Sequence, residues 1–315
     1  MENEFEFIKN KLKPLTFSKK EARGLSDDCA LFENIKDLVV SVDSSIEGVH
    51  VPEGTDIAVQ ARRAVLRSIS DLATFGSSPI CAFIAMSLPS SFEQQDFDKV
   101  ADGLKKAFLE YDIFLAGGDI TTHNGLPIFS VTVFGDNANK ELGRNKSKPG
   151  DLIVVSGPIG DSFLGLELLN KNLKSSSLED KNLIKKFLIP EPKIELGKNI
   201  KSFATSIIDI SDGVLSELNH LCKNSGVGSE VYIRDIPFSS YAKKYITSNL
   251  YNYKDLLCGG DDYELLYTID PKDKKLIDEN SFIIGKINSK NKISIYLEDG
   301  NIIDINDGIL GYKHF

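Results

Sequence analysis

The stretch TSIIDISDGVLSEL, Thr205 to Leu218, carries an apolar pair, Ile207 and Ile208, straight into two aspartates three residues apart and then a glycine. The chain repeats the device. VVSVDSS carries Asp43, LAGGDIT carries Asp119, and CGGDDYELL carries Asp261 and Asp262, while Asp27, Asp28 and Asp71 sit in similar Gly- and Ser-flanked positions. Carboxylates at the ends of strands, on the rim of a sheet, can converge on one cleft. Buried there without a partner, each would cost several kcal/mol and shift to its neutral form, so a cation is expected among them. Oxygen-only donors of this kind suit Mg²⁺ or Mn²⁺ and exclude a typical zinc or copper site. Any single member reads equally well as a turn or cap residue, as with Asp212 before GVLSELNHL or Asp161 before SFLGLELL.

The familiar phosphate motifs are missing. There is no G-x-x-x-x-G-K-[ST], no kinase H-R-D with D-F-G and no G-x-G-x-x-G, and GPIGDS is a weak glycine-rich signal that a plain strand-to-helix turn would also produce. The histidines, His50, His123, His220 and His314, include no base paired with a nucleophile; His220 reads as ordinary helix surface.

The elements that must position these acids alternate. In the N-terminal half, strands are expected at 38–42, 80–88, 114–116 and 128–134, with helices over 56–74 and from about 93 to 111. The first of these helices carries Ile57, Ala61, Ala64, Val65, Ile69 and Leu72 on its apolar stripe and is stopped by Gly76 and Pro79. GRNKSKPGD, 143–151, marks a boundary. Beyond it, strands at 152–156, 206–210, 230–233, 264–269 and 282–287 alternate with helices, 171–182 reads as an exposed loop, and IYLEDGNIIDI reads as a hairpin around Asp299-Gly300. Both halves are mixed α/β, with no sequence repeat linking them.

Composition agrees with about two domains: 315 residues, 41% hydrophobic and 26% charged. A net charge of -9 with no basic run interleaved with aromatics argues against nucleic-acid binding, yet permits polyphosphate ligands if divalent cations intervene. No apolar run approaches the ~20 residues of a membrane span, and MENEFEFIKNKLK is an acidic amphipathic segment rather than a signal peptide, so a cytoplasmic protein with no membrane partner is expected. Cys29, Cys81, Cys222 and Cys258 are scattered and form neither a zinc site nor a disulfide framework.

LSDDCALF, VVSVDSSIEGVHV, SISDLATFGSSP, LAGGDIT, KPGDLIVVSGPIGDS, IIDISDGVLSEL, CGGDDYELLY and the closing GYKHF follow one another over nearly the whole chain. Together they resemble the thiamine-monophosphate kinase family of the aminoimidazole-ribonucleotide synthetase superfamily; EGVH and GYKHF favour that family over its siblings. The resemblance implies two mixed α/β domains: 1–145, binding metal and ATP and forming a homodimer, and 146–315, with nucleotide and substrate contacts. It implies phosphoryl transfer from ATP to thiamine monophosphate, with several Mg²⁺ ions near the domain and subunit junction. Carried over by position, Asp27, Ser41, Val42, Asp43, Asp71, Asp119, Asp209 and Asp212 match metal contacts. Gly118, Asp119, Arg144 and Ser211 match ATP contacts, and His50, Asp261 and Tyr312 match contacts to the thiamine substrate.

The chain departs from the family pattern at Ser26 (usually glycine), Val51 (an aromatic), Asp261 (a glutamate) and Tyr312 (frequently tryptophan). These changes bear on the shape of the thiamine pocket more than on the metals. No catalytic side chain is assigned, because phosphoryl transfer rests on positioning and charge neutralisation and a phosphate acceptor is already largely ionised at neutral pH. Two other readings stay open: a sibling ATP-dependent enzyme with another substrate, and a noncatalytic metal and nucleotide binder that the intact aspartate set argues against.

Overall fold

The structure, a computed structural model, describes residues 4–26, 29–33, 35–139, 142–170, 178–248, 250–304 and 311. It divides into two compact units, Met1–Leu72 with Ser77–Ala138, and Ala73–Gly76 with Asn139–Phe315. Among the described residues no helix is long and apolar enough to cross a membrane.

The first unit is a four-stranded sheet in the order β1-β4-β2-β3, made of β1 (Val39–Ile46), β2 (Ser78–Pro89), β3 (Phe114–His123) and β4 (Ile128–Asp136). β2 and β3 run parallel, joined by helix α3 (Gln94–Tyr111), whereas β1 and β2 each lie antiparallel to β4. Helices α2 (Ile57–Ala73) and α3 share the core with one face of the sheet. Val65, Ile69 and Leu72, Leu104 and Phe108, and Val131 and Val133 are all buried, and the whole apolar stripe expected on α2 is buried with them. The helices touch at Gly103, where a β-carbon would run into the carbonyl of Ala58. The N-terminal turns, α1 (Glu4–Phe7), Ile8–Leu12 and Lys13–Thr16, precede a segment that lays Phe32 on the other sheet face against Phe134, ring centroids 6.0 Å apart.

The second unit holds a seven-stranded sheet in the order β11-β10-β7-β9-β5-β8-β6. Its strands are β5 (Leu152–Val155), β6 (Ala204–Asp209), β7 (Gly228–Tyr232), β8 (Leu265–Ile269), β9 (Phe282–Asn288), β10 (Ile293–Tyr296) and β11 (Ile302–Asp304). Among the described ladders of this second sheet, only the β7 and β10 pairing is parallel. Its core joins Ile153, Val155, Ile208 and Leu266 from the sheet to Leu164, Leu215, Leu218 and Leu256 from helices α4 (Asp161–Asn170), α7 (Val214–Ser225) and α9 (Tyr253–Cys258).

Three expectations change. β1 and β3 run on to Ile46 and His123, so Asp43 and Asp119 lie inside strands rather than at their ends. Polar residues there hide a ladder that continues through Ser45↔Phe129 and Ser87↔Thr121. The loop expected over 171–182 gives way at Leu178 to α5 (Leu178–Leu188), because Leu183 and Phe187, one helical turn apart, are buried and α4 approaches closely at Gly165; residues 171–177 lie outside the described residues.

Candidate functional site

Ser41 and Asp43 point from β1 toward the helix-covered face, since their ladder partners Val133 and Val131 are buried core residues. On α2 the residues Arg63, Arg67 and Asp71 step by four along one side. Four helical residues rise about 6 Å and two strand residues about 6.6 Å, so the two spacings stay in phase. The outcome is two adjacent pairings: the Ser41 hydroxyl donates to the Asp71 carboxylate, and the Arg67 guanidinium donates to the Ser44 carbonyl at 3.4 Å and faces Asp43. Burial pushes the Asp43 carboxyl above its usual range, and Arg67 only partly counters it. Val42, next along the strand, turns an exposed side chain to the opposite face.

Asp119 and Gly118 stand elsewhere in the same unit. β3 is the far edge of the sheet, three strand spacings or roughly 14 Å from β1, and Asp119 shares a row with Ala85 and Ser130 on the face opposite to Asp43. Both residues line a cavity of about 350 Å³ between β3 and the N-terminal turns, walled by Leu12, Leu25, Ala30 and Phe83. Gly118 permits this strand to close up, because a β-carbon there would strike the Ile84 carbonyl. Asp27 lies outside the described residues.

His50 sits on the loop after β1. Its Nδ1 accepts the Ile46 N–H at 3.1 Å while the His50 backbone N–H donates to the Ile46 carbonyl at 2.8 Å; an Nδ1 that accepts puts the ring N–H on Nε2. Glu47, almost fully buried, accepts the Gly54 N–H and closes this loop.

In the second unit, β6 delivers Asp209, buried, to its C-terminal end. Gly213, at φ 107, turns the chain into α7, and a side chain there would collide with the Cys258 carbonyl. The loop Ile210–Asp212 is sewn to Gly260–Glu264. The Asp261 N–H donates to the Ser211 carbonyl at 2.8 Å, the Tyr263 N–H to the Ile210 carbonyl at 2.9 Å, and the Ile210 N–H to the Glu264 carbonyl at 2.8 Å. Asp261 (φ 70) and Tyr263 (φ 51) both occupy the left-handed region, which costs non-glycine residues roughly 1–2 kcal/mol each and is favoured more by Asp than by longer side chains. The Tyr263 hydroxyl donates to Asp261 Oδ1 at 3.0 Å. Tyr312 lies outside the described residues.

Sequence reasoning missed Glu217. It is buried in the first turn of α7 and its Oε1 accepts the Asp212 N–H at 3.2 Å. Burial and the Asp209 carboxylate push it up to about 8, opposed by the Asp212 N–H and the Arg144 guanidinium. Arg144 is thereby placed beside the DISDG acids, on a segment whose neighbour Gly143 accepts the Ile207 N–H. The four-residue offset from Gly213 looks like any helix position in the sequence, so only the fold exposes Glu217.

GPIGDS is not an open phosphate cradle. The Asp262 side chain accepts the N–H groups of Gly160 (2.8 Å) and Ser162 (3.3 Å) at the start of α4, so the protein supplies its own acceptor there. Burial raises Asp262 well above the carboxylate range and raises Asp161, which accepts from the Ser239 hydroxyl.

Among the described residues no group of three carboxylate, histidine or cysteine side chains is placed to hold a metal ion alone. The donors that do gather, Ser41 with Asp43 and Asp71 and, separately, Asp209 with Asp212, are all oxygen. The burial that penalises the Asp43 charge is relieved by a hard divalent cation, so the residues fit Mg²⁺.

The description AIR synthase related protein, N-terminal domain, matches residues 26–136, and its C-terminal counterpart matches residues 148–298. The thiamine-monophosphate kinase of Escherichia coli (strain K12) is 31% identical over 304 residues, 93% of this chain and 91% of that protein. That of Nitrosopumilus maritimus (strain SCM1) is 29% identical over 95% of this chain and 96% of its own length. The solved structure of AaThiL complexed with AMPPCP and TMP is 29% identical, with a TM-score of 0.81 covering 95% of this chain and 94% of that one.

Proposed function

The chain belongs to the AIR-synthase-related family and, within it, to the thiamine-monophosphate kinases, and from that membership we propose that it transfers the γ-phosphoryl group of ATP to thiamine monophosphate. A phosphate oxygen of the acceptor attacks γ-phosphorus, the bond to the β-bridging oxygen breaks, and thiamine diphosphate and ADP leave. The observation that carries this reading is the direct hydrogen bond from Asp261, on the acceptor side, to the Ser211 carbonyl, on the nucleotide side. Residues matched to the two substrates share one braced loop pair.

Ser41, Val42 through its carbonyl, Asp43, Asp71, Asp119, Asp209, Asp212 and Asp27 are the proposed Mg²⁺ contacts. Mg²⁺, when bound, neutralises phosphate charge and aligns attacking and leaving oxygens. The chain's own groups do the rest. Gly118, Arg144 and Ser211 hold ATP, Arg144 as a cation beside the phosphates, and the cavity under β3 receives part of the nucleotide. His50 offers its Nε2 N–H, and with Asp261 and Tyr312 orients thiamine monophosphate. No general base is needed, because the acceptor oxygen carries its charge already.

The partner is a second copy of the chain. On the face of the first sheet away from its helices, Val40 and Val42 are 49% and 64% exposed on an edge strand, an apolar strip that a homodimer would cover. The working compartment is the cytoplasm, in keeping with ATP as co-substrate and with four cysteines that are not joined in disulfides.

The test is ADP release by purified protein with ATP, Mg²⁺ and thiamine monophosphate. Turnover that requires all three is expected. No turnover with this acceptor, alongside turnover with another phosphate or amidine acceptor, would move the chain to a sibling activity.

A further inference from the structure

Between Lys9 and Arg23 the chain carries six Lys and Arg residues against one acid, Glu21, although its net charge is -9. Lys11 leaves the group to pair with Asp98 of α3 at 2.9 Å. The fold gathers the other five. Leu12, Leu15 and Ala22 are buried and pin the N-terminal turns, while Phe17 (φ 46) and Ser18 (φ 57) reverse the chain between them. The reversal is bonded on both sides: the Phe17 N–H donates to the Pro14 carbonyl at 3.1 Å, the Lys19 N–H to the Thr16 carbonyl at 2.9 Å and the Ser18 N–H to Thr16 Oγ1 at 3.2 Å. Lys19 and Lys20 thereby return beside Lys9 and Lys13. Lys13 lies along the next turn, where a β-carbon on Gly24 (φ 65) would stand 3.4 Å from its Cε and 3.6 Å from its Nζ. With Arg23 these residues line one groove of about 480 Å³.

A bonded backbone that holds several cations around one hollow focuses a positive field there. Glu33 reaches Lys20 at 3.4 Å, but both side chains are exposed, and a solvent-screened pair of that kind yields readily to a better anion. Lysine binds phosphate as a compact point charge, and the groove falls within the roughly 300–1,000 Å³ of small-ligand sites. No aromatic ring is among the described residues lining it, so it offers no platform for a stacked base. Its neighbour on the chain is the cavity under β3. Leu12 and Leu25 wall that cavity, and Lys13 and Gly24, each one residue away, line the groove.

We propose that this groove is a second anion site, for an oligophosphate of two or three phosphates, that works without a metal ion. The inference is independent of the acceptor's identity. Two molecules carry the chemistry: a free oligophosphate, or the phosphate tail of a nucleotide whose other end lies in the cavity under β3.

The experiment is calorimetric titration of the full chain with inorganic pyrophosphate in EDTA. Saturable binding at one site per chain is expected, weakening about tenfold as salt rises from about 50 to 200 mM. Lys13→Ala with Lys19→Ala is expected to weaken it about tenfold or more, and Lys13→Arg with Lys19→Arg to keep it within about threefold. Melting temperatures should barely move, because both side chains are exposed. No saturable binding in EDTA, or binding that the double alanine variant retains, overturns the inference. Equal loss in the arginine pair also overturns it, since packing rather than charge would then be at work. Sulfate that binds as tightly as pyrophosphate overturns it as well, because the groove is then a diffuse positive field only. A nonhydrolysable ATP analogue separates the two sources: displacement of pyrophosphate identifies the nucleotide tail, and pyrophosphate bound undiminished in its presence identifies a free oligophosphate. Both of those outcomes support the site.

Discussion

The Ser41 hydroxyl is hydrogen-bonded to the Asp71 carboxylate, joining a strand to the helix that follows it at the place where Asp43, two residues on, carries a disfavoured charge. A carboxylate whose folded pKa is raised gives stability that is full below its unfolded value and is lost as pH rises through the folded one. At neutral pH ionised Asp43 therefore weighs against the metal-free fold. Asp43→Asn is expected to lower turnover on the order of 100-fold or more while leaving the melting temperature in EDTA unchanged or higher. The gain should fade as pH falls toward 4. A variant that turns over at the wild-type rate, or a metal-free protein that melts lower than wild type at pH 7, would refute the assignment.

His50 gives a prediction about atoms rather than residues. Because Ile46 N–H occupies Nδ1, the proposed donor to the acceptor is Nε2, a position that a glutamine amide mimics and an asparagine amide does not. His50→Asn is expected to raise the acceptor KM about 10- to 100-fold, the range for losing a hydrogen bond to a charged group, and His50→Gln distinctly less. Equal loss in both, or loss confined to ATP, would place His50 on the wrong ligand.

Glu217 sets a pH dependence of the metal-free protein. With the folded pKa at about 8 against an ordinary 4.5, the protonated form is favoured by folding, and that stabilisation disappears as pH passes through 8. Between pH 7 and 9 in EDTA, wild type should lose roughly 1.4 kcal/mol relative to Glu217→Gln, measured by urea unfolding at each pH. A constant difference between the two proteins across that range would show that Glu217 is charged throughout.

How much of this was legible in the sequence depends on what kind of signal placed each residue. The α2 stripe and the DISDG turn were readable because apolar period, glycine and the strand before them point the same way. Asp43 and Asp119 misread as strand ends because Ser44 and Ser45 continue one ladder and Thr121 and Thr122 the other, and the polarity of a side chain says nothing about the pairing of its backbone. The contrast between Asp43 and Asp119, on opposite faces and opposite edges, needed the strand order β1-β4-β2-β3, which no local pattern encodes. GPIGDS is a weak glycine-rich signal in the sequence, and what separates a turn from a phosphate loop there is Asp262 on the Gly160 amide, 102 residues away. Glu217 was invisible for a related reason: it acts through a backbone turn whose φ values and offset carry no composition signature.

Asp262 should therefore be structural. Asp262→Ala leaves the Gly160 and Ser162 N–H groups without their acceptor and frees the turn between two left-handed residues. Each buried donor left unmet costs about 1–3 kcal/mol, offset in part by relief of a burial-penalised carboxylate. A net loss of about 1–3 kcal/mol in urea unfolding is expected. Inorganic phosphate should restore part of it if the amides behave as a helix N-terminal anion site. Unchanged stability would mean that water serves those amides as well as the carboxylate does.

The proposed homodimer makes the exposed face of the first sheet its interface. Val40 faces Phe134 and Val42 faces Thr132 across β1 and β4, and Phe32 stacks on Phe134 at one end of that surface. What is left open is a strip of valines beside small hydroxyl residues such as Ser44 and Ser130, which bond to each other at 2.8 Å and present little bulk. On this proposal the same patch on a second copy covers the strip, and a two-fold contact would place Val42 against its equivalent region. Val42→Glu puts a charge into that contact while costing the single chain almost nothing, because Val42 is already 64% exposed. Sedimentation should show a dimer for wild type and a shift to monomer for the variant, with the melting temperature of the dilute protein nearly unchanged. A wild-type monomer at micromolar concentration removes the homodimer, and a variant that stays dimeric moves the interface off this face.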